Sequence, residues 1–318
     1  MSTPTSPPTI PNPAPSNEFG EPNLQVGKQS PWSKWLEPLV LLVPGGFWLG
    51  LLLVLPTLVI LELSLVPRIR PGGYVPPLWE LLKPSVFENY TLVFSRDYLF
   101  VLGQSMFFAF GTMLVCLLLG FPVAYWIGQM SPKRWRNLLL LGFVLPLWTS
   151  SLLRSYAWIT ILRRTGVVNT VLTSLGLPAL DLLNQSSAVF IGMGYSYLPY
   201  MVLILYASIE KLDRRLLEAS ADLGANPIQT FWKVTVPQTM PGIAAGSLLV
   251  FINTLGDFVD PELLGGASSM TVSRLIYNQF LGPTQNWGFG SSLSMVLILA
   301  VSVAIALLIK YGDSSAQR

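Results

Sequence analysis

The sequence predicts an all-α integral membrane protein with six transmembrane helices. Hydrophobic residues make up 52% of its 318 positions, charged residues only 11%, and the mean hydropathy is +0.55. A soluble domain carries about 25% charged residues. Six apolar stretches come close to the roughly 20 residues that a membrane helix needs. These stretches are residues 39–65, 99–127, 138–162, 188–209, 243–264 and 289–309.

Composition excludes several classes of function. The net charge of +3 is small and unclustered, so nucleic acid is not expected as a partner. The absence of histidine excludes Ser–His catalysis, His-ligated metals and haem. No Gly-x-x-x-x-Gly-Lys-Ser/Thr run occurs, so the chain should not bind ATP through a P-loop. We therefore predict a protein that is not an enzyme and that holds no cofactor or metal. Cys116, the single cysteine, lies in an apolar stretch and is interpreted as a buried hydrophobic residue.

The chain is predicted to have three parts. Residues 1–35 are rich in Pro, Ser, Thr and Asn, which indicates a disordered segment. This segment lacks a positive region followed by an apolar core, so it is not interpreted as a secretory signal. Residues 36–310 form the membrane domain, and residues 311–318 form a short tail.

The distribution of Lys and Arg predicts which side of the membrane each loop faces. Eleven of the 19 Lys and Arg residues fall on one side of the predicted spans and eight on the other. The bias is sharpest in the short basic segments 132–136 and 211–215. Basic residues collect in cytoplasmic loops, so these segments and both termini are predicted to be cytoplasmic.

Between the fourth and fifth spans lies a longer stretch, residues 212–242, that reads as a helix, a turn and a second helix. Asp213 is placed to cap the first helix, and Gly224 fits the left-handed residue that closes it. Asn226 is predicted as the cap of the second helix, with Pro227 as its first residue.

The second helix of this stretch carries an apolar stripe, and Pro237 is predicted to end it. The stripe consists of Ile228, Phe231, Trp232 and Val236. An apolar face of this kind needs a surface to pack on, either the protein's own membrane helices or a soluble partner.

This stretch resembles the cytoplasmic "EAA" loop of permeases from binding-protein-dependent ABC importers. In that family the pattern is Glu-Ala-Ala, a Gly four residues on, and a later Ile-x-Leu-Pro. Here the third small residue is Ser, and two Val replace Ile and Leu. The residues that carry the resemblance are Glu218-Ala219-Ser220, Gly224 and Val234-x-Val236-Pro237.

Other segments resemble the B-type permeases of spermidine/putrescine importers within the same family. They are residues 88–91, 144–158 and 208–213, and the resemblance extends over about residues 37–310. It implies the type I ABC importer permease fold, an inner-membrane location and transport of polyamines. It also implies four kinds of partner: cytoplasmic ABC ATPase subunits, a second homologous permease, an extracytoplasmic solute-binding protein and the lipid bilayer.

The resemblance further implies that residues of the loop at about 212–240 couple the permease to its ATPase. Ala219 and Ser220 are small enough to let another surface approach, Gly224 sets the angle between the two helices, and Phe231 and Trp232 can anchor them. The residues assigned to coupling are Glu218, Ala219, Ser220, Gly224, Ala225 and Pro237.

Asn253, Asp257 and Asp260 are candidates for the substrate pathway. Their spacing of four and three residues would place them on one face of the fifth span. Asp257 would lie about 15 residues, or roughly 22 Å, from the cytoplasmic end of that span. Buried carboxylates usually face a cavity or a partner, and they would suit a cationic polyamine. A structural interpretation also fits, because the run 256–266 resembles one found in many importer permeases, and Asp260 before Pro261 could cap a short helix.

Aromatic residues form a weaker set of candidates. Trp148 and Tyr156 could stack on an aliphatic ammonium group, although aromatic packing explains them as well. Arg154 can extend to the headgroups, Glu62 fits the end of the first span, and Tyr197 is a further candidate.

Two other functions stay open at this point. One is a permease of the same fold for another small solute, such as an iron chelate or an oxyanion, which the basic outer loops would suit. The other is a stand-alone channel or secondary transporter. Such proteins usually show inverted repeats or broken helices, and the sequence shows no convincing internal repeat.

Overall fold

The computed structural model describes residues 42–66, 87–283 and 285–316, and within these ranges it contains helices and no strands. The predicted all-α class is confirmed. The chain divides into two units, Met1–Pro56 and Thr57–Arg318. The predicted disordered segment 1–35 and most of the loop between the first two spans lie outside the described residues.

The described residues form twelve helices, numbered in chain order, and a short 3-10 helix at Ala267–Ser269. Helices α1, α3 and α9 each include a π-helical turn, and α4 ends in a 3-10 turn. Their bounds are α1 Leu42–Ser64, α2 Glu88–Val93, α3 Arg96–Met130, α4 Lys133–Trp148, α5 Ser151–Leu162, α6 Val167–Ser174, α7 Ser186–Ile209, α8 Arg214–Asp222, α9 Pro227–Gly256, α10 Val259–Leu264, α11 Val272–Phe280 and α12 Trp287–Ala316.

Four of the described helices, α1, α3, α7 and α9, are long and apolar enough to cross a membrane by length and composition. The chain from α4 through α6 bends by 95° at a short break and would make a fifth span if counted as one. In α12, Trp287–Val303 is a further apolar helix. The six-span count therefore stays a prediction.

The predicted continuous span 138–162 is wrong, because the chain breaks between α4 and α5. Leu145–Trp148 tightens into a 3-10 turn, and Thr149 is extended with ψ 146°. Pro146 has no N–H to donate, and its carbonyl accepts the Thr149 hydroxyl at 2.7 Å. The apolar pattern continues across this break, so hydropathy alone could not reveal it.

Pro237 does not end a helix as predicted, because α9 runs through both Pro237 and Pro241. A π-helical turn at Phe231–Thr235 directly precedes Pro237. Such a wide turn accommodates a proline ring that would otherwise clash with the carbonyl four residues earlier. The second helix of the predicted helix–turn–helix is therefore the beginning of a 30-residue helix.

Helices α3, α7 and α9 pack on one another around a buried apolar cluster. Cys116 from α3, Met201 and Leu205 from α7 and Val250 from α9 are all fully buried in it, which confirms the predicted burial of Cys116. A Cβ at Gly246 of α9 would lie 2.9 Å from the sulfur of Met201. The glycine therefore permits the close helix approach that small residues give in membrane proteins.

A second buried cluster places α10 against the bundle. Leu264 of α10 packs with Phe108, Leu162, Val189 and Met193, which come from α3, α5 and α7. This packing fixes the short segment after α9, where two of the candidate carboxylates lie.

Candidate functional site

The candidate carboxylates lie at a break between two helices. Helix α9 ends at Gly256, Asp257 is extended with ψ 122°, and α10 begins at Val259. Asp257 Oδ1 accepts hydrogen bonds from the amides of Val259 at 2.9 Å and Asp260 at 3.4 Å. The side chain thus satisfies amides at the start of α10 that have no partner within the helix.

This break corrects two expectations. The predicted span 243–264 is not one helix, so Asn253, Asp257 and Asp260 do not share a helix face. Asp260 does not cap the short helix but lies inside α10; the N-cap residue is Phe258, and the side chain that accepts the first amides is that of Asp257, one residue earlier. Both errors have one cause, which is that the Asp257 carboxylate competes with the helix for backbone amides.

The other oxygen of Asp257 contacts α7. Tyr197 donates its hydroxyl hydrogen to Asp257 Oδ2 at 3.0 Å, and the same hydroxyl lies 3.2 Å from the carbonyl oxygen of Asn253. Asp257 is half-buried. The ion pairs among the described residues are Arg136–Glu210 and Arg274–Glu262, so Asp257 has no cationic partner there.

Asp260 has a different environment. It is 3% exposed, and its two oxygens accept hydrogen bonds from Ser155 of α5 at 2.5 Å and from Ser196 of α7 at 3.3 Å. One buried carboxylate thus connects three helices. Sequence reasoning missed both serines, since nothing in their local sequence distinguishes them from other serines of the spans.

The remaining pathway candidates are not brought to these carboxylates. Asn253 is exposed, and its amide donates to Leu249 O on its own helix at 2.8 Å. Trp148 and Tyr156 are 80% and 55% exposed. Among the described residues, no hydrogen bond or ring contact joins either aromatic residue to Asp257 or Asp260. The structure instead groups Tyr197 with the two carboxylates.

The local structure of the candidate coupling segment agrees with the capping pattern in its sequence. Asp213 accepts the Arg215 amide at 2.9 Å and caps α8, and Gly224 is left-handed with φ +79°. Asn226 and Gln229 each accept the other's backbone amide, and Pro227 is the first residue of α9. The predicted caps at Asp213 and Asn226 and the left-handed Gly224 are confirmed.

The residues assigned to coupling do not all point outward. Glu218 and Ala219 are exposed, whereas Ser220 is buried and its hydroxyl lies 2.8 Å from that of Thr230. The Ala225 amide donates to Ser220 O at 3.0 Å, which ties the turn to α8. Pro237 is exposed along α9. The coupling role of this set stays a prediction. The Ser220 side chain faces the inside of the segment, where it contacts Thr230, and not an outside surface.

Large apolar side chains are exposed on the same segment. Leu223, Ile228 and Trp232 are 88%, 71% and 64% exposed. Phe231, by contrast, packs edge-on against Phe121 of α3 with ring centroids 5.4 Å apart. Phe231 therefore packs this segment against the bundle, and Trp232 is available to another surface.

The described residues bring no three His, Cys, Asp or Glu side chains together in a group that could hold a metal ion. The site thus consists of two parts, the carboxylates between α9 and α10 and the exposed segment from α8 into α9.

Known proteins resemble this chain over most of its length. Residues 47–312 match the family described as "Binding-protein-dependent transport system inner membrane component". The chain is 41% identical over 260 residues to the spermidine/putrescine transport system permease protein PotB of Haemophilus influenzae, which covers 81% of this chain and 88% of that protein. Identity to the protein of the same name from Escherichia coli strain K12 is 38% over 260 residues, covering 81% and 91%.

A solved structure has the same fold. It is a chain in the crystal structure of a bacterial alginate ABC transporter in complex with alginate pentasaccharide-bound periplasmic protein. The TM-score is 0.69 at 18% sequence identity, and the match covers 87% of this chain and 93% of that one. At this identity the likeness shows the fold alone.

Proposed function

Because the chain belongs to the family of binding-protein-dependent transport system inner membrane components, we propose that it is a permease subunit of an ATP-driven importer for polyamines such as spermidine and putrescine. Members of this family are transport components rather than enzymes. The chain contributes the membrane pathway, and ATP is hydrolysed by a separate subunit.

The observation that carries the polyamine assignment is 41% identity over 81% of the chain to a permease named for spermidine and putrescine. The carboxylate of Asp257 supports it. Polyamines are cations, and Asp257 is a half-buried acid with no cationic partner among the described residues. A carboxylate at such a place usually serves a pathway or pairs with a cation.

Coupling to the ATPase is assigned to the exposed segment from α8 into α9. Glu218 and Ala219 present a small, polar surface, and Leu223, Ile228 and Trp232 present an apolar one. An apolar patch of this kind fits an interaction site, because soluble surfaces rarely leave several large apolar side chains together. A groove on a cytoplasmic ATPase is the proposed occupant.

The complete importer then has five kinds of component, including this chain. The others are two cytoplasmic ATPase subunits, a second homologous permease, an extracytoplasmic solute-binding protein and the surrounding bilayer. We expect six spans, with both termini and the α8 segment in the cytoplasm. Movement of the ATPases shifts the bundle between its inward-open and outward-open states as a rigid body.

The test is uptake in cells that lack their own polyamine importers. The chain is expressed with candidate ATPase, second permease and solute-binding subunits from the same genome, and accumulation of radiolabelled spermidine and putrescine is measured. We expect uptake that requires an intact ATPase subunit and that excess unlabelled polyamine abolishes. Uptake of an iron chelate or oxyanion in place of polyamine would overturn the substrate assignment. Uptake that is independent of the ATPase would overturn the proposed ATP-driven mechanism.

A further inference from the structure

The ends of α3 and α7 are held together by side chains that cap unpaired carbonyl groups. The last carbonyls of a helix have no partner within it. Gln129 Nε2 donates to Ile209 O at the end of α7 at 3.0 Å. Arg136 of α4 donates to Gly128 O near the end of α3 at 2.7 Å, and it also contacts Glu210 Oε1 at 3.3 Å. We call the side chains of Gln129, Arg136, Glu210 and Arg214 the Gln129 cluster.

Arg214, the first residue of α8, connects this cluster to the candidate coupling segment. Its Nη2 donates to Gln129 O at 2.5 Å, and its Nε donates to Gln129 Oε1 at 3.2 Å. A guanidinium that donates hydrogen bonds to two oxygens of one residue fixes the orientation of the two side chains as well as their distance. Helix α8 is therefore attached to α3 directly, in addition to its covalent linker from α7.

The neighbouring arginine makes no such contact. The Arg215 guanidinium forms no hydrogen bond or ion pair with any residue that the structure describes, and its backbone amide is used by the Asp213 cap. Both arginines lie in the first turn of α8, are exposed and carry the same charge. They differ in whether they contact Gln129.

The cluster borders an open cavity of about 400 Å³, lined in part by Gln129, Ser131, Arg136 and Arg214. Two buried polar atoms beside it, Ser131 Oγ and Arg136 Nε, have no hydrogen-bond partner in the described part of the chain. The cluster is thus not tightly packed on every side, and its side chains have room to shift as α8 moves.

We infer that Arg214 and Gln129 are positioning residues that transmit movement of α8 to α3. The inference rests on the proposed function, since it presumes that a partner moves α8. Both bonds of Arg214 are solvent-exposed, and exposed pairs add little to stability. Their contribution is geometric, because with Arg214 in place a displacement of α8 reaches α3 as well as α7.

The test uses the complete importer in proteoliposomes and measures both solute uptake and ATP hydrolysis. With Arg214→Ala we expect the ATPase to co-purify as in wild type and the thermal unfolding midpoint to be unchanged. Solute carried per ATP should fall roughly fivefold or more, the usual lower range for coupling between sites. Arg214→Lys, which keeps the charge but lacks the planar, forked donors of the guanidinium, should restore part of the loss.

Two controls separate this contact from other effects. Arg215→Ala removes the same charge from the same helical turn and should leave solute per ATP unchanged. The double variant Arg214→Ala with Gln129→Ala should lower the ratio no further than Arg214→Ala alone, since both act through one link.

Wild-type uptake is the reference that separates the two proposals. If wild type shows no ATP-dependent polyamine uptake, the proposed function fails. If wild type transports and Arg214→Ala carries as much solute per ATP, the inference fails alone. It also fails if Arg215→Ala lowers the ratio as far as Arg214→Ala, because the effect would then come from charge and not from the contact with Gln129.

Discussion

The hydroxyl of Tyr197 on α7 holds the carboxylate of Asp257 at 3.0 Å, at the point where α9 ends and α10 begins. One side chain thus has two tasks. Oδ1 accepts amides at the start of α10, and Oδ2 accepts the Tyr197 hydroxyl of α7. The geometry separates the charge of Asp257 from its capping role, so that each can be changed alone.

Replacing Asp257 with Asn should reduce transport without altering the fold. Asn caps helices about as well as Asp, so the break between α9 and α10 is kept while the negative charge is lost. We expect polyamine uptake to fall about tenfold, which corresponds to roughly 1.4 kcal/mol. Uptake kinetics with spermidine measure this. Asn253→Ala is the matched control, because Asn253 bonds only its own helix through its side chain. Unchanged kinetics for Asp257→Asn would remove Asp257 from the pathway.

Replacing Tyr197 with Phe should weaken transport less. The ring stays in place, and the carboxylate loses one hydrogen-bond donor, a contribution of about 1 kcal/mol. We expect the KM for polyamine to rise severalfold, because Asp257 is no longer held in one position. Tyr195→Phe is the control on the same helix, since Tyr195 packs on Trp158 and its hydroxyl has no described hydrogen bond. Equal effects of the two substitutions would contradict a specific role for the Tyr197 hydroxyl.

The difference between what the sequence predicts and what the structure adds follows from the range of the interactions. Asp213, Gly224 and Asn226 act on amides within a few residues, so their capping roles are visible in the sequence. The amides that Asp257 Oδ1 accepts are also local, but the contact from Tyr197 joins residues 60 positions apart. Hydrophobic periodicity within one segment cannot detect a partner that lies so far along the chain.

Asp260 should prove structural where Asp257 is functional. It is buried, and it accepts hydroxyl groups from Ser155 and Ser196, which lie on two other helices. Asp260→Ala leaves Ser196 without this acceptor and should destabilise the protein by about 1–3 kcal/mol. The thermal unfolding midpoint in detergent should fall. The fraction of the variant that remains folded should have a KM for polyamine near that of wild type. A lowered affinity with unchanged stability would reverse the two assignments.

Gly224→Val tests the turn of the coupling segment. Gly224 has φ +79°, and a Cβ there would meet nothing within 4 Å, so the substitution acts through backbone strain alone. Strain of this kind costs about 1–2 kcal/mol and should re-orient α8 relative to α9 without unfolding the bundle. We expect less ATPase to co-purify. Gly176→Val is the matched control, because Gly176 has φ +77° and equally open surroundings. Normal co-purification and transport with Gly224→Val would show that the turn does not couple the two proteins.

Sidedness can be tested with a single introduced thiol, because the native Cys116 is fully buried and should give little background. Glu218→Cys places an exposed thiol on α8, and Arg164→Cys places one in an exposed segment predicted on the opposite side. Basic loops favour the cytoplasm, so a membrane-impermeant maleimide should label the first variant in inside-out vesicles and the second in intact spheroplasts. Labelling of Glu218→Cys from outside would place α8 where no ATPase could reach it. That result would contradict the proposed coupling even if polyamine uptake were intact, since the energy would then have to enter the bundle at another surface.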